Sequence, residues 1–370
     1  MDLQALASTH GEFYAPAFAL RIGVADLVRD LLIPVSQVEA DLELGKTGAF
    51  SFTVADAYDI EHGGFVTGTG RPLLPLLDFG TEIDLCMGYG DAGGLPAVIS
   101  GVVTSLSTSF PDGGMPELVV EGRDHSFPLT NGKNSRAWTK ARDSDAVAEI
   151  AGYYNLAANI EPTSEQHEQI EQNQESDFEF LLKLAKRNKF ELFVDELRAL
   201  HFHRPGYDRA DVVRLDWGKG LLSFKPEANL GGQVSLVEVR GWDPRRKETI
   251  LGTARAGEES GAGGGSRSAG ERINAFVRDP SKQPALRLRQ PVFTQSEANQ
   301  RAKALLNERA ENFLTGDAES IGLPEIRPDR NVLLGNLGRP FSKTYYVQQA
   351  THKIDANGYR TRFKVKETRL

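Results

Sequence analysis

The sequence predicts a mainly β chain with an α+β insertion, and three observations carry that prediction. The last stretch, Tyr345 to Lys366, reads YYVQQATHKIDANGYRTRFKVK, two alternating segments joined at Asn357-Gly358. Asn-Gly tolerates the positive φ of a tight turn, which makes it the strongest short-range hairpin signal. The first 125 residues hold several short alternating segments separated by turn clusters. Finally, 18 prolines and 37 glycines in 370 residues argue against a helical bundle.

In order along the chain, Phe13 to Val24 has apolar positions suited to a strand. Phe50, Phe52 and Val54 alternate with Ser51 and Thr53, and Ile83, Leu85 and Met87 repeat the pattern. Val98 to Leu106 and Leu118 to Val120 give two more strands. With turns at Asp91-Ala92-Gly93-Gly94 and Pro111-Asp112-Gly113-Gly114, the region reads as a closed barrel or sandwich. From Ser126 the pattern changes. Trp138 to Tyr154 has helix-compatible spacing, and residues 161–177, with six carboxylates and no Lys or Arg, read as an exposed connector. In SDFEFLLKLAKRNKF, Ser176 and Glu179 form a capping box, and Phe180, Leu181, Leu184 and Ala185 make one apolar stripe of core residues. Phe190 to Val194 and Leu197 to Phe202 complete a small α/β unit as a hairpin.

A second β region follows. Gly220 to Phe224 and Gln233 to Arg240 read as strands, the latter ended by Trp242-Asp243-Pro244. Residues 256–270, with GAGGGS at 261–266, read as a flexible loop unable to offset its ordering entropy. Ser296 to Phe313 is a helix by its 3.6-residue period, with Gly316 placed to end it. The expected division is 1–125, a β body; 126–205, an α/β unit; 206–255 with 316–370, a second β body; and 256–315, a loop-and-helix insertion.

Composition narrows the function. No run of 18 apolar residues spans a membrane, and residues 1–20 do not read as a signal peptide. Cys86 is the only cysteine, so intrachain disulfides are excluded; in an apolar strand it reads as a small buried filler. The net charge of −8 is uneven: residues 1–125 hold 18 acidic and five basic side chains, leaving the remainder at +5. Such asymmetry can orient neighbours in an assembly, or serve solubility alone. No basic patch with interleaved aromatics precedes the final hairpin, so specific nucleic-acid binding is not expected.

No motif points to catalysis. Ala40 to Thr47, ADLELGKT, fits a loose phosphate-loop expression, but Asp41 and Glu43 oppose a nucleotide and a strand follows where a helix is required. A hairpin turn at Gly45–Gly48 is the expectation. His201-Phe202-His203 places two imidazoles on one strand face, but zinc needs a further ligand and the remaining histidines are scattered, so edge or surface histidines are expected. Neither Gly-x-Ser-x-Gly nor His-Glu-x-x-His occurs. The chain is expected not to be an enzyme and to need no cofactor or metal. Trp138, Trp217 and Trp242 each lie beside an element boundary, and core anchoring is expected for at least two. In the final hairpin Tyr359, Thr361, Phe363 and Val365 face one way; Arg360, Arg362, Lys364 and Lys366 face the other. That second face is too basic to be buried unpaired, so it needs a partner or plain solvent.

These residues also carry a family pattern. The chain resembles the phage late control D proteins, the baseplate hubs of contractile tails, and the hub portion of VgrG spikes. The matching blocks are Gln174 to Leu181 running on through Phe202, Val239-Arg240-Gly241-Trp242-Asp243-Pro244, and Gly322-Leu323-Pro324 with Tyr345-Tyr346-Val347, Thr351-His352-Lys353 and Gly358 to Phe363. The resemblance implies two β-barrel-like tube domains plus a small α/β domain, in a homotrimer that adapts a hexameric tail tube to a trimeric spike. The implied partners are the chain itself, a separate spike protein, the tube protein, and baseplate wedge or LysM-type adaptor proteins. The implied setting is assembly in the bacterial cytoplasm into a phage tail or contractile injection particle. In that frame Arg360, Arg362, Lys364 and Lys366 are candidates for a channel wall, a tube contact or a subunit contact. The competing expectation is a carbohydrate- or peptidoglycan-binding accessory protein of a tail.

Overall fold

The computed structural model describes residues 2–243, 247–262, 266–292 and 294–370. After helix α1 (Leu3–Thr9), the first β body is built from β1 (Pro16–Ile22), β2 (Ala25–Asp26), β3 (Val35–Glu43), β4 (Ala49–Val54), β5 (Tyr58–Asp59), β6 (Gly64–Phe65), β7 (Glu82–Tyr89), β8 (Ala97–Ser109) and β9 (Glu117–Asp124). Apart from the small β5–β6 pair, these strands form one curled antiparallel sheet, ordered β2-β1-β7-β8-β9-β4-β3. The alternation read in β4 sends Phe50, Phe52 and Val54 inward, onto Leu20, Val38, Leu85 and Val120. Cys86 is buried, and burial pushes its thiol pKa up. The β3–β4 connection is the hairpin turn expected at Gly45–Gly48, with Gly45 at φ 71°.

The α/β unit comprises β10 (Asn134–Arg142), α2 (Asp143–Tyr153), β11 (Ala157–Ile160), β12 (Gln166–Glu175), α3 (Asp177–Asn188), β13 (Glu191–Val194) and β14 (Ala199–His203). The capping box forms as expected: Glu179 N–H donates to Ser176 Oγ at 3.2 Å and Ser176 N–H to Glu179 Oε2 at 2.9 Å. Phe180, Leu181 and Leu184 are core. Two expectations fail here. Trp138 lies in β10 rather than a helix, opposite Ile170 of β12 and stacked on Phe180. The acidic segment is accordingly strand β12 for most of its length, not an exposed connector. Within β12 only Ile170 and Gln172 are buried, too few to reveal a period of two. Gln172 donates to Asp177 Oδ1 at 2.7 Å, and Arg136 and Tyr154 reach the same carboxylate at 2.6 Å each. Burial alone raises the Asp177 pKa, but these donors outweigh it and hold the carboxyl below its usual range.

The remaining elements are β15 (Asp211–Trp217), β16 (Gly220–Ala228), β17 (Leu236–Asp243), β18 (Glu248–Arg255), α4 (Ala269–Phe276), β19 (Ala285–Arg289), α5 (Gln295–Ala310), β20 (Leu314–Ile321), β21 (Asn331–Gly335), β22 (Lys343–Asp355) and β23 (Gly358–Glu367). A closed six-stranded barrel runs β22-β21-β15-β16-β20-β23 and back to β22. The chain is thus mainly β, with two barrel-like bodies, one open and curled and one closed, plus the α/β unit. β17 and β18, expected in the second body, instead form a separate sheet with β19. Val237, Val239, Ile250 and Ala254 pack there on Ala298, Ala302 and Leu306 of α5. Alternation alone does not say which sheet a strand joins. Pro244 and residues 263–265 of the GAGGGS run lie outside the described residues. The flanks of that run are tied to the C-terminus: Arg369 donates to Gly257 O, Glu259 O and Ser266 O, and Leu370 N–H to Arg267 O. Of the tryptophans, only Trp138 is core; Trp217 and Trp242 are 56% and 54% exposed on β15 and β17.

The two β bodies interlock. β22 pairs along one edge with β21 through Lys343–Tyr346 and then with β3 through Gln349–Ile354. The change of partner coincides with a register irregularity between Val347 and Gln349, where β22 also faces β23. The hairpin tip carries Ile354 and Tyr359 into the core of the first body, while Leu6 of α1 joins the core of the second. Gly322 permits the first insertion: a Cβ there would sit 1.9 Å from the Tyr359 ring. The turn lies one residue earlier than Asn357-Gly358, since Asp355 pairs with Gly358 and only Gly358, at φ 95°, is left-handed.

His352 fastens this joint. It is fully buried, with Nε2 3.0 Å from Ile326 O and Nδ1 2.9 Å from Tyr359 Oη. The carbonyl requires Nε2–H as donor, leaving Nδ1 to accept from the tyrosine. Desolvation pushes its pKa down to about 3, so the folded protein holds it neutral. The unfolded chain gains this proton near pH 6.5. The stability is therefore intact above that pH and lost as acidification proceeds toward the folded-state pKa. Acidifying from pH 7 to 4 is expected to remove on the order of 3 kcal/mol through this residue. His352→Gln, which retains a donor and an acceptor, should flatten that component in urea denaturation compared at the two pH values.

Candidate assembly surface

The four basic residues of β23 belong to a larger surface than the hairpin. One all-antiparallel sheet crosses both bodies in the order β8-β9-β4-β3-β22-β23-β20-β16. Its register aligns side chains in rows across the bodies. One row runs Arg123, Ala49, Asp41, Thr351, Arg362, Glu319, Ser223. A second runs Glu121, Ser51, Glu39, Lys353, Arg360, Ile321. Members of both rows are exposed or half-buried, whereas the intervening row Ala40, His352, Thr361, Ser320 is buried. This is the outer face, and its charge comes in bands. Acidic β3 (Glu39, Asp41, Glu43) is followed by basic β22 and β23 (Lys353, Arg360, Arg362, Lys364), then by acidic β20 (Asp317, Glu319).

The basic stripe therefore has partners inside its own chain. Arg360 and Arg362 reach the Glu319 carboxylate at 3.3 and 3.7 Å, and Lys353 reaches Glu39 at 3.9 Å. Asp41 accepts from Thr351 Oγ1 at 2.8 Å and Gln349 Nε2 at 2.9 Å. Lys364 is exposed opposite Asp317. Each such exposed pair contributes about 0–1 kcal/mol, so the bands neutralise the face more than they stabilise it. Sequence inspection missed the acidic partners, although Glu39-x-Asp41-x-Glu43 has the same period of two as the basic run and was open to the same reading.

Lys366 differs from the other three. It is 4% exposed, with Nζ 3.0 Å from Glu311 and 3.9 Å from Glu191, and it lies over the Tyr346 ring. The α/β unit and α5 cover this end of β23. Lys366 is thus an internal tie between three parts of one chain, and its place on an exposed face is corrected. Burial raises the pKa of Glu191, with Lys366 acting against that rise.

His201 and His203 do share a face, but on β14, the central strand of β11-β14-β13 rather than an edge. They line a cleft of about 640 Å³ where the three bodies meet. His201 Nε2 is 2.8 Å from Asp195, and His203 Nε2 is 3.6 Å from Asp329. Asp329 is also held by Arg209 and by Tyr346 Oη at 2.8 Å. Among the described residues no three metal-ligating side chains converge, and no helix is long and apolar enough to cross a membrane.

A family model described as the Alg8 N-terminal domain matches residues 26–356. The chain belongs to that family. Comparison with curated proteins finds no match. Among solved structures, the 43 kDa tail protein of prophage MuSo2 from Shewanella oneidensis superposes with a TM-score of 0.70 at 13% identity, over 95% of this chain and 98% of that one. A tail protein from Neisseria meningitidis MC58 gives 0.69 at 13% identity, over 96% and 97%. The E. coli c3393 protein gives 0.53 at 13% identity, over 94% and 76%; it is described as a type VI secretion component similar to the T4 tail proteins gp27 and gp5. At such identity these likenesses establish the fold, that of phage tail and VgrG-related proteins, in accord with the resemblance to baseplate hubs. None of these three neighbours is described as an enzyme.

Burial separates the four basic residues experimentally. Replacing Arg360, Arg362 and Lys364 together by Glu is expected to cost no more than about 2 kcal/mol in urea denaturation, because the three side chains are exposed. Lys366→Glu, facing two carboxylates it cannot leave, should cost about 3–5 kcal/mol on its own.

Proposed function

We propose that this chain is a structural baseplate hub subunit of a contractile tail or tail-derived injection particle, and that three copies form a ring between a hexameric tube and a trimeric spike. One observation carries the reading: the sheet shared by both bodies has an unpaired edge at each end. Beyond Val103, which still bonds to Gly80 and Thr81, strand β8 has β9 on one side and no described strand on the other. At the far end, β16 from Leu222 to Ala228 has only β20.

An open edge displays backbone donors and acceptors that recruit another strand, and proteins ordinarily guard it with lysine or proline. The β8 edge, Thr104-Ser105-Leu106-Ser107-Thr108-Ser109, has neither. The β16 edge is only partly blunted, by Lys225 and Pro226. One sheet with two different open edges favours a heterologous head-to-tail contact, and such a contact closes into a ring if its rotation permits. The two barrel-like bodies per chain then give six around a threefold axis, matching a sixfold tube on one side and a threefold spike on the other. The spike partner is supported by fold likeness to a chain of the Francisella PdpA-VgrG complex, with a TM-score of 0.55 at 10% identity over 98% of this chain and 54% of that one. Within the ring the banded face, with its charges satisfied locally, suits a water-filled channel wall. The work of such a subunit is mechanical, with no catalytic step, and the particle is assembled in the bacterial cytoplasm.

Guarding the open edge tests the reading. Ser107→Lys with Thr108→Lys lies on an exposed part of β8 and should leave the melting temperature within about 2 °C of wild type, as surface substitutions do. The same variant should fail to form threefold rings when produced with its tube and spike partners, scored by solution mass and electron microscopy. Normal rings from the guarded edge would refute the head-to-tail pairing.

A further inference from the structure

A second cleft, of about 710 Å³, opens where the C-terminal end of α3 meets α5 and the covered end of β23. Lys189 stands in it. It is the residue after α3 and adopts the left-handed conformation, φ 59° and ψ 41°. Helix ends favour glycine there because a Cβ is strained in that region. Its side chain is half-buried, and no described carboxylate lies within salt-bridge distance of it. A left-handed lysine and a partly desolvated ammonium both oppose folding, and among the described residues no ion pair offsets them.

The surrounding charge has the same sign. Lys303 of α5 and Lys186 of α3 also line the cleft, again without a described ion pair, and Arg301 donates its Nε to Gln290. Arg204 is drawn away to Glu161, at 3.0 Å. On the acidic side, Glu311 and the half-buried Glu191 are engaged by Lys366 and by the hydroxyls of Tyr207 and Tyr346, leaving Glu308 as the one carboxylate among the described lining residues without such a partner. We propose that this cleft binds a small multivalent anion of the phosphate class, with Lys189 and Lys303 as its principal ammonium ligands. Such an anion supplies the countercharge both lysines lack. Several convergent cations favour a multivalent ligand over a single carboxylate, and the volume admits a phosphoanion with a modest organic part.

Proton linkage gives the site a signature. Desolvation, reinforced by Lys303 and opposed by Glu311, pushes the Lys189 pKa down to about 7. An anion beside it favours the charged form, so binding near pH 7 must draw protons onto the protein.

Titration calorimetry of the intact chain with inorganic pyrophosphate at pH 7 and low salt, in two buffers of different ionisation enthalpy, tests the proposal. The expected result is saturable one-to-one binding with net proton uptake. Lys303→Ala should weaken binding by about tenfold, one ammonium–phosphate contact. Lys189→Gly should weaken it similarly and abolish the uptake, while melting no lower than wild type because glycine suits the left-handed position. That variant separates lost binding from lost folding. ATP as a second titrant distinguishes a nucleotide site from one for free polyphosphate, according to which binds more tightly. Absence of binding by both titrants, or binding unchanged in both variants, would overturn the proposal.

Discussion

The structure depends on one strand meeting two partners along a single edge. β22 bonds to β21 with its first half and to β3 with its second. Its opposite edge stays on β23 nearly throughout. A strand can change neighbours in this way only if its second half swings away from the wall its first half closes. The irregularity between Val347 and Gln349 provides that bend. Gln348, inside it, accepts Leu44 N–H at 3.1 Å from the β3–β4 turn. Without that change of partner the second barrel would still close, but the first body would lose its lateral neighbour and the Tyr359 side chain that fills its core. The adjacent pair Tyr345 and Tyr346 records the same constraint. Neighbouring residues of a strand face opposite sides, yet both are fully buried. Tyr345 enters the barrel core, and Tyr346 meets Tyr207 and Asp329 under the α/β unit.

This joint also accounts for the lopsided charge. The first 125 residues are strongly acidic, and the rest of the chain is basic on balance. At the joint the acidic strand β3 lies directly against the basic strand β22, in register, with Glu39 opposite Lys353. Like charges directly opposite one another on paired strands are destabilising. A strand as acidic as β3 therefore pairs best with a neutral or basic one, and here it has Phe50-Ser51-Phe52 on one side and the basic hairpin on the other. The complementarity first sought between molecules already operates within one.

Local signals were legible and long-range ones were not. The capping box at Ser176, the alternation of β4, the Gly45 turn and the apolar stripe of α3 rest on residues within a turn or two of each other, where spacing dictates geometry. The hairpin's inner face was legible because Tyr359, Thr361, Phe363 and Val365 share a period of two. By contrast, β12 escaped because a strand that buries only Ile170 and Gln172 has almost no apolar period. The assignment of β17 and β18 to the barrel failed because alternation fixes a strand's faces without fixing its neighbours. Core anchoring was expected for at least two of Trp138, Trp217 and Trp242, and only Trp138 is core, because a place beside an element boundary does not fix which side of the element a side chain occupies.

The final strand shows where such inference stops and what it leaves intact. Arg360, Arg362, Lys364 and Lys366 stand on one face by the pleat alone. The sequence interval between Lys364 and Lys366 equals the one before it, yet Lys366 is buried and Lys364 is exposed, because α5 and β13 overlie only the last turn of the pleat. Burial there forces pairing, since an unpaired ammonium in that position would cost several kcal/mol; Glu311 and Glu191 supply it. A shared face is thus divided by what lies over it into an internal tie and an open surface. The open part runs out to the β8 edge, which carries neither lysine nor proline, and to the β16 edge, which Lys225 and Pro226 blunt only in part.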